Sequence, residues 1–432
     1  MARKTSSPTR GVKPPGRTTK PVRTGPAKPP RSARRPARAG ATESAPAGER
    51  TGARPAARPR ATSGARGGGK SGVKHAGKKV AKTAAHRPAR PPTRQAGTPA
   101  DVEAQLLAIE QGSGDGEVEM GRDTRLHVSS LAKVYFPDTG ATKGAVMRYY
   151  ARMSRFVLPD VQGRPLVLKR YPDGVGGEMF FQQEAGAHVP DTVRVETVTM
   201  ADGESAARIV GGDLATLLYT VQLGAIEVHP WLSRVQDIDS ADRCLIDLDP
   251  AEGVPFAWVV ELAQEIVGIA RRCELPVALK TSGSRGIHLV FPLPARTTYE
   301  ASLALGQLVA QAATLARPDL ATVERSIRSR PERSIYVDAL QNARGKSMAG
   351  AYSLRARAAA PASAPLRPRE LTPRLKLTGF TIATMPQRTE RIGDIWRETL
   401  AGRPTARALA RAMQVLEAAP AKAGPRGGRS RG

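Results

Sequence analysis

Asp247 and Asp249 stand two residues apart in "IDLDP", at the end of a short apolar run. In extended chain that spacing turns both carboxylates to one face, where they repel unless one is protonated or a cation sits between them. Hard oxygen ligands of this kind suit Mg²⁺ or Mn²⁺. The plainer alternative is a pair of acids capping the helix that follows Pro250. Asp338, in "YVDAL", ends a second apolar run, where an unpaired charge is costly to bury. With Asp247 and Asp249 it completes a three-carboxylate set of the kind that holds two metal ions for in-line phosphoryl or nucleotidyl transfer.

Between these acids lies "TSGSRGIH", residues 281–288. It offers the hydroxyls of Ser282 and Ser284, amides freed by Gly283 and Gly286, the guanidinium of Arg285, and His288 on the outgoing strand. Hydroxyls, amides and a guanidinium suit phosphate oxygens, and His288 is placed to donate to leaving phosphates. A lone histidine on a strand is more often a satisfied core residue. Downstream, "QNARGKSMAGAYSLRAR" (341–357) places Arg355 and Arg357 on one face if extended, with Gln341, Asn342 and Lys346 nearby. A second phosphate motif is weaker: Gly64, Gly69, Lys70 and Ser71 match the spacing of a P-loop, but no apolar strand precedes them and no amphipathic helix follows. Those glycines read as linker.

The elements that must position these residues follow from periodicity. "GRPLVLKRYPDG" (163–174) and "GEMFFQQEA" (177–185) read as a hairpin, and "ATLLYTVQLGAIEVHPW" (215–231) as a helix running into a strand. "RCLIDLDP" (243–250) is a strand, "PFAWVVELAQEIVGIARRCE" (255–274) a helix, and "PVALKTSGSRGIHLVFPL" (276–293) two strands around a glycine-rich turn. "YEASLALGQLVAQAATLAR" (299–317) is a second helix and "SIYVDAL" (334–340) a further strand. Strand, helix, strand, strand, helix, strand is the split βαβ order of ferredoxin-like and RRM-like folds, an α+β class with helices on one face of the sheet. The N-terminal side adds further β-rich elements.

Charge divides the 432 residues sharply. Residues 1–100 hold 25 Lys plus Arg against two acids and contain no Trp, Tyr, Phe, Leu or Ile, so they cannot bury enough apolar area to offset chain entropy. They read as a disordered basic tail, and residues 421–432 as a second, with the domain between them at 101–420 almost neutral. A dispersed positive tail suits counterion release on nucleic acid, beside the blander role of a solubilising tail. Its prolines are too frequent for an amphipathic transit peptide. No 18-residue apolar run occurs, which argues against a membrane span and for a cytoplasmic, nucleoid-associated protein. Cys244 and Cys273 offer neither a disulfide framework nor zinc spacing.

"IDLDP", "KTSGSRGIHLVFPL" and "YVDALQNARGKSMAGAYSLRAR", in that order, resemble the three motifs of the archaeo-eukaryotic primase superfamily. The likeness is strongest to the polymerase domain of bacterial DNA ligase D, and extends upstream through "LAKVYFPDTGATKG", "GRPLVLKRYPDGVGGEMFFQ" and "IEVHPW", covering about residues 126–400. It implies a template-directed nucleotidyltransferase in non-homologous end joining, which fills gaps or extends a 3′-OH at DNA ends with NTPs or dNTPs, often preferring ribonucleotides.

By resemblance, Asp247, Asp249 and Asp338 match metal-binding carboxylates, while Ser282, Arg285, His288, Arg355 and Arg357 match residues around the incoming triphosphate. His229 matches a position at the nucleotide pocket and Gln341 one near the metals. Lys133 and Lys143 fall where the family binds a recessed 5′-phosphate, Lys169 at another DNA-facing position, and Phe180 and Phe181 where rings meet the template. Lysines suit a phosphate dianion and exposed rings suit base stacking. Arg285 stands where lysine is usual, Ser130 where asparagine is common, and "GKSM" replaces a more Thr-rich run. No K-x-D-G ligase motif occurs, so the chain reads as a stand-alone polymerase, with a separate DNA ligase and a Ku-like end-binding protein as expected partners. Two alternatives are a phosphohydrolase using the same carboxylates, which leaves Arg285, Arg355 and Arg357 unexplained, and a catalytically silent DNA-binding protein.

Overall fold

A computed structural model describes residues 97–418, apart from Arg122, Ala201 and Asp202; both basic tails and the P-loop-like glycines lie outside these residues. The first elements are α1 (Pro99–Gln111), a hairpin of β1 (Gly116–Glu119) and β2 (Arg125–Val128), a short pair β3 (Val134–Phe136) and β4 (Ala141–Thr142), and α2 (Lys143–Val161). Then come β5 (Leu166–Arg170), β6 (Phe180–Gln182), a hairpin of β7 (Val195–Thr199) and β8 (Ser205–Ile209), α3 (Leu214–Gln222) and β9 (Ala225–Pro230). The remainder holds β10 (Arg243–Pro250), α4 (Phe256–Arg272), β11 (Ala278–Thr281), β12 (Ile287–Pro292), α5 (Tyr299–Ala316), β13 (Ala321–Thr322), β14 (Ile335–Asp338), β15 (Pro365–Leu366), α6 (Met385–Ile392), α7 (Ile395–Leu400) and α8 (Ala406–Glu417).

The core sheet has the order β13-β14-β10-β12-β11-β15. Its inner four strands pair antiparallel, the arrangement that a β-α-β-β-α-β unit produces when α4 and α5 carry the chain across the sheet. Leu245, Ile246 and Leu248 of β10 are buried, as are Val259, Ala263 and Ile266 of α4 and Leu305 and Val309 of α5, so one apolar layer lies between sheet and helices. The fold class expected from sequence is observed. The N-terminal side is more mixed than expected, because α2 crosses it with most of its residues buried. Helical spacing was obscured there by burial on most sides and by Pro159 in the last turn.

Three buried polar groups tie these parts to the sheet. Tyr149 Oη donates to Tyr352 O (2.7 Å) and Tyr150 Oη to Ile226 O (2.7 Å), fastening α2 to the segment before Arg355 and to β9. Asp160, at the end of α2, accepts from Arg243 Nη1 (2.7 Å) on β10, Trp396 Nε1 (2.8 Å) on α7 and Ala351 N (2.9 Å). A carboxylate so buried is tolerated because each oxygen has a donor.

Candidate active site

Register sets the centre of the site. Asp247 is the direct cross-strand partner of His288 on β12 and of Asp338 on β14, and His288 is in turn the partner of Lys280 on β11. Direct partners share a face, so Lys280, His288, Asp247 and Asp338 form one row across four strands. Asp249, two residues along β10, adds a third carboxylate to that face. Helix capping is not their role, since the cap of α4 is Pro255 and no side chain bonds its first amides.

Each carboxylate has present partners. His288 Nε2 lies 3.3 Å from Asp247 Oδ1. Asp338 accepts from Leu340 N (2.7 Å) and Gln341 Nε2 (3.2 Å), which places Gln341 at this carboxylate. Asn342 fixes that turn: its amide accepts from Leu245 N (2.7 Å) and donates to Leu245 O (2.7 Å), continuing the ladder where β14 ends. Asp249 faces Arg285 (3.9 Å) and Arg330 (3.8 Å). Burial and the negative charge of Asp247 raise the Asp249 carboxyl above its usual range. Three hard oxygen groups on one face, one of them raised by its neighbour, fit a divalent cation. Among the described residues no three His, Cys, Asp or Glu side chains close around a metal position as they stand.

The β11–β12 turn needs glycine twice. Gly283 has φ +70°, and a Cβ on Gly286 would run into Leu248 O. Two amides of this turn are already taken, contrary to expectation: Ser284 N (3.1 Å) and Gly286 N (3.0 Å) both donate to Ser282 Oγ. Ser282 thus closes the turn and presents Arg285, whose side chain is 61% exposed, beside the carboxylates. The two downstream arginines also depart from expectation. Arg357 N donates to Arg355 O (2.8 Å) in a tight turn, so the segment is not extended and the arginines diverge. Arg357 lines an open cleft with Ser284 and Arg285, whereas Arg355 turns inward to Glu227 and to Ser282 O.

Glu227 and Lys280 carry much of this arrangement and had no part in the sequence reading. Glu227, 2% exposed, accepts from His229 Nε2 (2.8 Å), Arg355 Nε (2.8 Å), Lys169 Nζ (3.3 Å) and Ala356 N (3.2 Å). Burial opposes its ionisation, but the His229 hydrogen bond and the Arg355 charge outweigh it and hold the carboxyl far below the usual range. Glu227 and His229 alternate with Ile226 and Val228, which was the available signal. Lys169, expected at a DNA-facing position, is paired with the buried Glu227 beside His229 and Arg355. Lys280 is buried in β11 and bonds His288 Nδ1, Ala349 O (2.8 Å) and Ser363 Oγ (2.9 Å). Burial and the nearby Lys280 push the His288 imidazole down to about 4, so the ring is neutral.

The lysine pair lies on a separate stretch. Lys143 N donates to Lys133 O (2.8 Å), and Lys143 Nζ donates to Ser129 O (2.9 Å). Burial, reinforced by Lys133, lowers the Lys143 ammonium to about 8. Lys133 is more open and bonds Asp173 Oδ1 (2.5 Å). Ser130, three residues before Lys133, has φ 58°, a backbone region that asparagine enters more easily than serine. Phe180 and Phe181 are 44% and 57% exposed on β6, an edge strand paired only with β5.

A ferredoxin-like sheet with three carboxylates at its centre, a basic turn beside them and exposed aromatics on an adjoining strand defines a nucleotidyl-transfer enzyme of the primase-polymerase class. Residues 142–396 match the LigD primase-polymerase domain, and the chain belongs to that family of DNA-directed nucleotidyltransferases. It is 30% identical over 276 residues to the multifunctional non-homologous end joining protein LigD of Pseudomonas aeruginosa (63% of this chain, 32% of that protein). It is 33% identical over 270 residues to the bifunctional LigD of Bacillus subtilis (62% of this chain, 43% of that protein). The chain thus spans less than half the length of these relatives. Among solved structures, the polymerase domain of Mycobacterium tuberculosis ligase D in complex with DNA superposes with a TM-score of 0.60 at 29% identity, covering 65% of this chain and all of that one. No helix among the described residues is long and apolar enough to cross a membrane.

Proposed function

We propose that this chain extends 3′-OH ends and fills gaps at DNA breaks, taking nucleotides from template and NTP or dNTP, with ribonucleotides accepted readily. The carrying observation is the row His288, Asp247 and Asp338 with Asp249, Arg285 and Arg357 beside it: three carboxylates next to exposed cations match a triphosphate that carries divalent ions. Asp247, Asp249 and Asp338 would hold Mg²⁺ or Mn²⁺, which when bound supplies Lewis acidity toward the triphosphate and the primer hydroxyl.

The chain's own groups do the rest. Neutral His288 offers an Nε2–H beside the carboxylates, where it donates to a phosphate oxygen as negative charge builds on it. Arg285 and Arg357 meet the triphosphate from the open cleft, and Ser282 keeps the turn that carries Arg285 in shape. Glu227 holds Arg355 and His229 at fixed angles to the nucleotide. Lys133 and Lys143 form a basic pair suited to a recessed 5′-phosphate, and Phe180 and Phe181 offer faces on which template bases stack. Break ends would arrive on a Ku-like protein, and sealing would fall to a DNA ligase, because residues 1–432 lack a K-x-D-G nucleophile. The basic residues 1–100 would tether the enzyme to DNA, so their deletion should weaken salt-dependent binding.

The test is extension of a labelled primer on a gapped duplex with a downstream 5′-phosphate, using NTPs or dNTPs with Mn²⁺ or Mg²⁺. Addition that follows the template and disappears in Asp247→Ala/Asp249→Ala supports the reading. A wild type that binds the DNA but adds nothing with either metal leaves a silent binding protein. Release of inorganic phosphate without chain growth would instead favour a phosphohydrolase.

A further inference from the structure

We infer that Lys280 is a positioning residue that locks the His288 ring with its proton on Nε2, turned to the carboxylates and the nucleotide. This rests on the reading of His288 as a phosphate donor, and deepens it by naming the group that sets the proton.

The hydrogen bonds around Lys280 leave little freedom. Its Nζ contacts Ala349 O (2.8 Å), Ser363 Oγ (2.9 Å) and His288 Nδ1. A backbone carbonyl only accepts. The Ser363 hydroxyl has one proton, and that proton is given to Thr281 O (2.7 Å), so Ser363 Oγ accepts from Lys280. Two N–H bonds of Lys280 are therefore committed, and the third position on its nitrogen faces the imidazole.

The other edge of the ring decides which way the last bond runs. Nε2 lies 3.3 Å from Asp247 Oδ1, an acceptor. If Lys280 offered a lone pair, Nδ1 would carry the ring proton and a bare Nε2 would face a carboxylate. If Lys280 donates, Nδ1 accepts, Nε2 carries the proton, and every polar atom in the row is matched. The second arrangement satisfies three donors of one ammonium with three acceptors. Lys280 is 2% exposed, and its long side chain reaches no solvent, so the residue has no evident role as surface charge. Its strand register places it directly beside His288. The same logic applies to metal-bound histidines, whose second ring nitrogen is fixed by an outer partner.

The test begins without metal or nucleotide. The full chain, labelled with ¹⁵N-histidine, contains six histidines, and His288 is assigned by the signal lost in His288→Ala. The expected spectrum shows His288 protonated on Nε2 in wild type, and mixed or Nδ1-protonated in Lys280→Met. Wild type with its proton on Nδ1 overturns the proposal without reference to any variant's folding, and so does a Lys280→Met spectrum with the tautomer unchanged.

Primer extension supplies the second readout. Lys280→Met should lower kcat for nucleotide addition by about 10- to 100-fold, the usual cost of losing an outer partner. Placed in a His288→Ala background it should cost nothing further, because it acts only through that ring. An equal loss in both backgrounds marks a merely structural lysine and overturns the inference. If wild type adds no nucleotide at all, the polymerase reading fails while the tautomer result still decides the role of Lys280.

Discussion

Two sets of cationic residues surround the candidate site, and they are built in opposite ways. Lys169, His229, Lys280 and Arg355 are buried or nearly so, each bonded to a named side chain. Arg285 and Arg357 stand open in a cleft, and Lys133 is more than a third exposed. The inner set cannot adjust, since any shift breaks a buried hydrogen bond; the outer set can follow a ligand but holds no fixed angle. On the proposed function the buried groups would set the geometry of transfer, and the exposed ones would supply charge that draws phosphate in. Substitutions should separate these roles.

The largest effect is expected where both sets converge. Asp247→Ala/Asp249→Ala should reduce nucleotide addition by at least about 1000-fold, a loss of several kcal/mol of transition-state stabilisation. It should change thermal stability little, because relief of the Asp249 carboxyl, raised by burial and by Asp247, is offset by loss of the Asp247 carboxylate, which His288 holds below its usual range. A variant that unfolds would mean that the acids are structural. Next comes the inner set itself. Glu227→Ala leaves Lys169, His229 and Arg355 buried around a vanished anion. Breaking a buried ion pair of this sort costs about 3–5 kcal/mol, so the urea midpoint should fall sharply. An unchanged midpoint would show that the inner cations do not depend on that carboxylate.

The same contrast explains what could be read from sequence. β10, β12 and β14 were legible because each is an apolar run cut off by a polar residue, and a run of that length between a proline or glycine and an acid has few other forms. Asp247, Asp249 and Asp338 stood out as polar residues closing such runs, and His288 as a polar residue at the start of the outgoing strand. Glu227 and Lys280 did not, because a charged residue in a string of letters looks the same whether it faces water or a buried partner 100 residues away. Arg355 and Arg357 were placed on one face by assuming extended chain; a bond from Arg357 N to Arg355 O folds the segment instead. Two amides of the β11–β12 turn, Ser284 N and Gly286 N, were counted as free because the Ser282 hydroxyl that occupies them is a choice of rotamer.

The outer set should respond more gently. Arg285→Ala/Arg357→Ala should raise the KM for nucleotide by about thirtyfold, roughly 2 kcal/mol for two charge-assisted contacts, with little change in kcat or in the melting temperature. High salt should shrink the difference between variant and wild type, because exposed charges are screened. A fall in kcat with KM unchanged would move these arginines into the rigid set.

Lys143 gives the smallest and most specific effect, since it is an inner residue on the path of an outer ligand. Burial and the Lys133 charge lower its ammonium to about 8. The sign follows: below that pH Lys143 is charged and attracts a phosphate dianion, and above it that charge is lost. The ratio of dissociation constants for gapped DNA with a 5′-hydroxyl and a 5′-phosphate should therefore fall between pH 7 and pH 9, by up to about tenfold if Lys143 alone titrates in that window. Lys143→Arg stays protonated and should flatten the profile. A ratio equally steep in that variant would locate the titration elsewhere, and a flat ratio in wild type would mean that phosphate binding keeps Lys143 charged or passes it by.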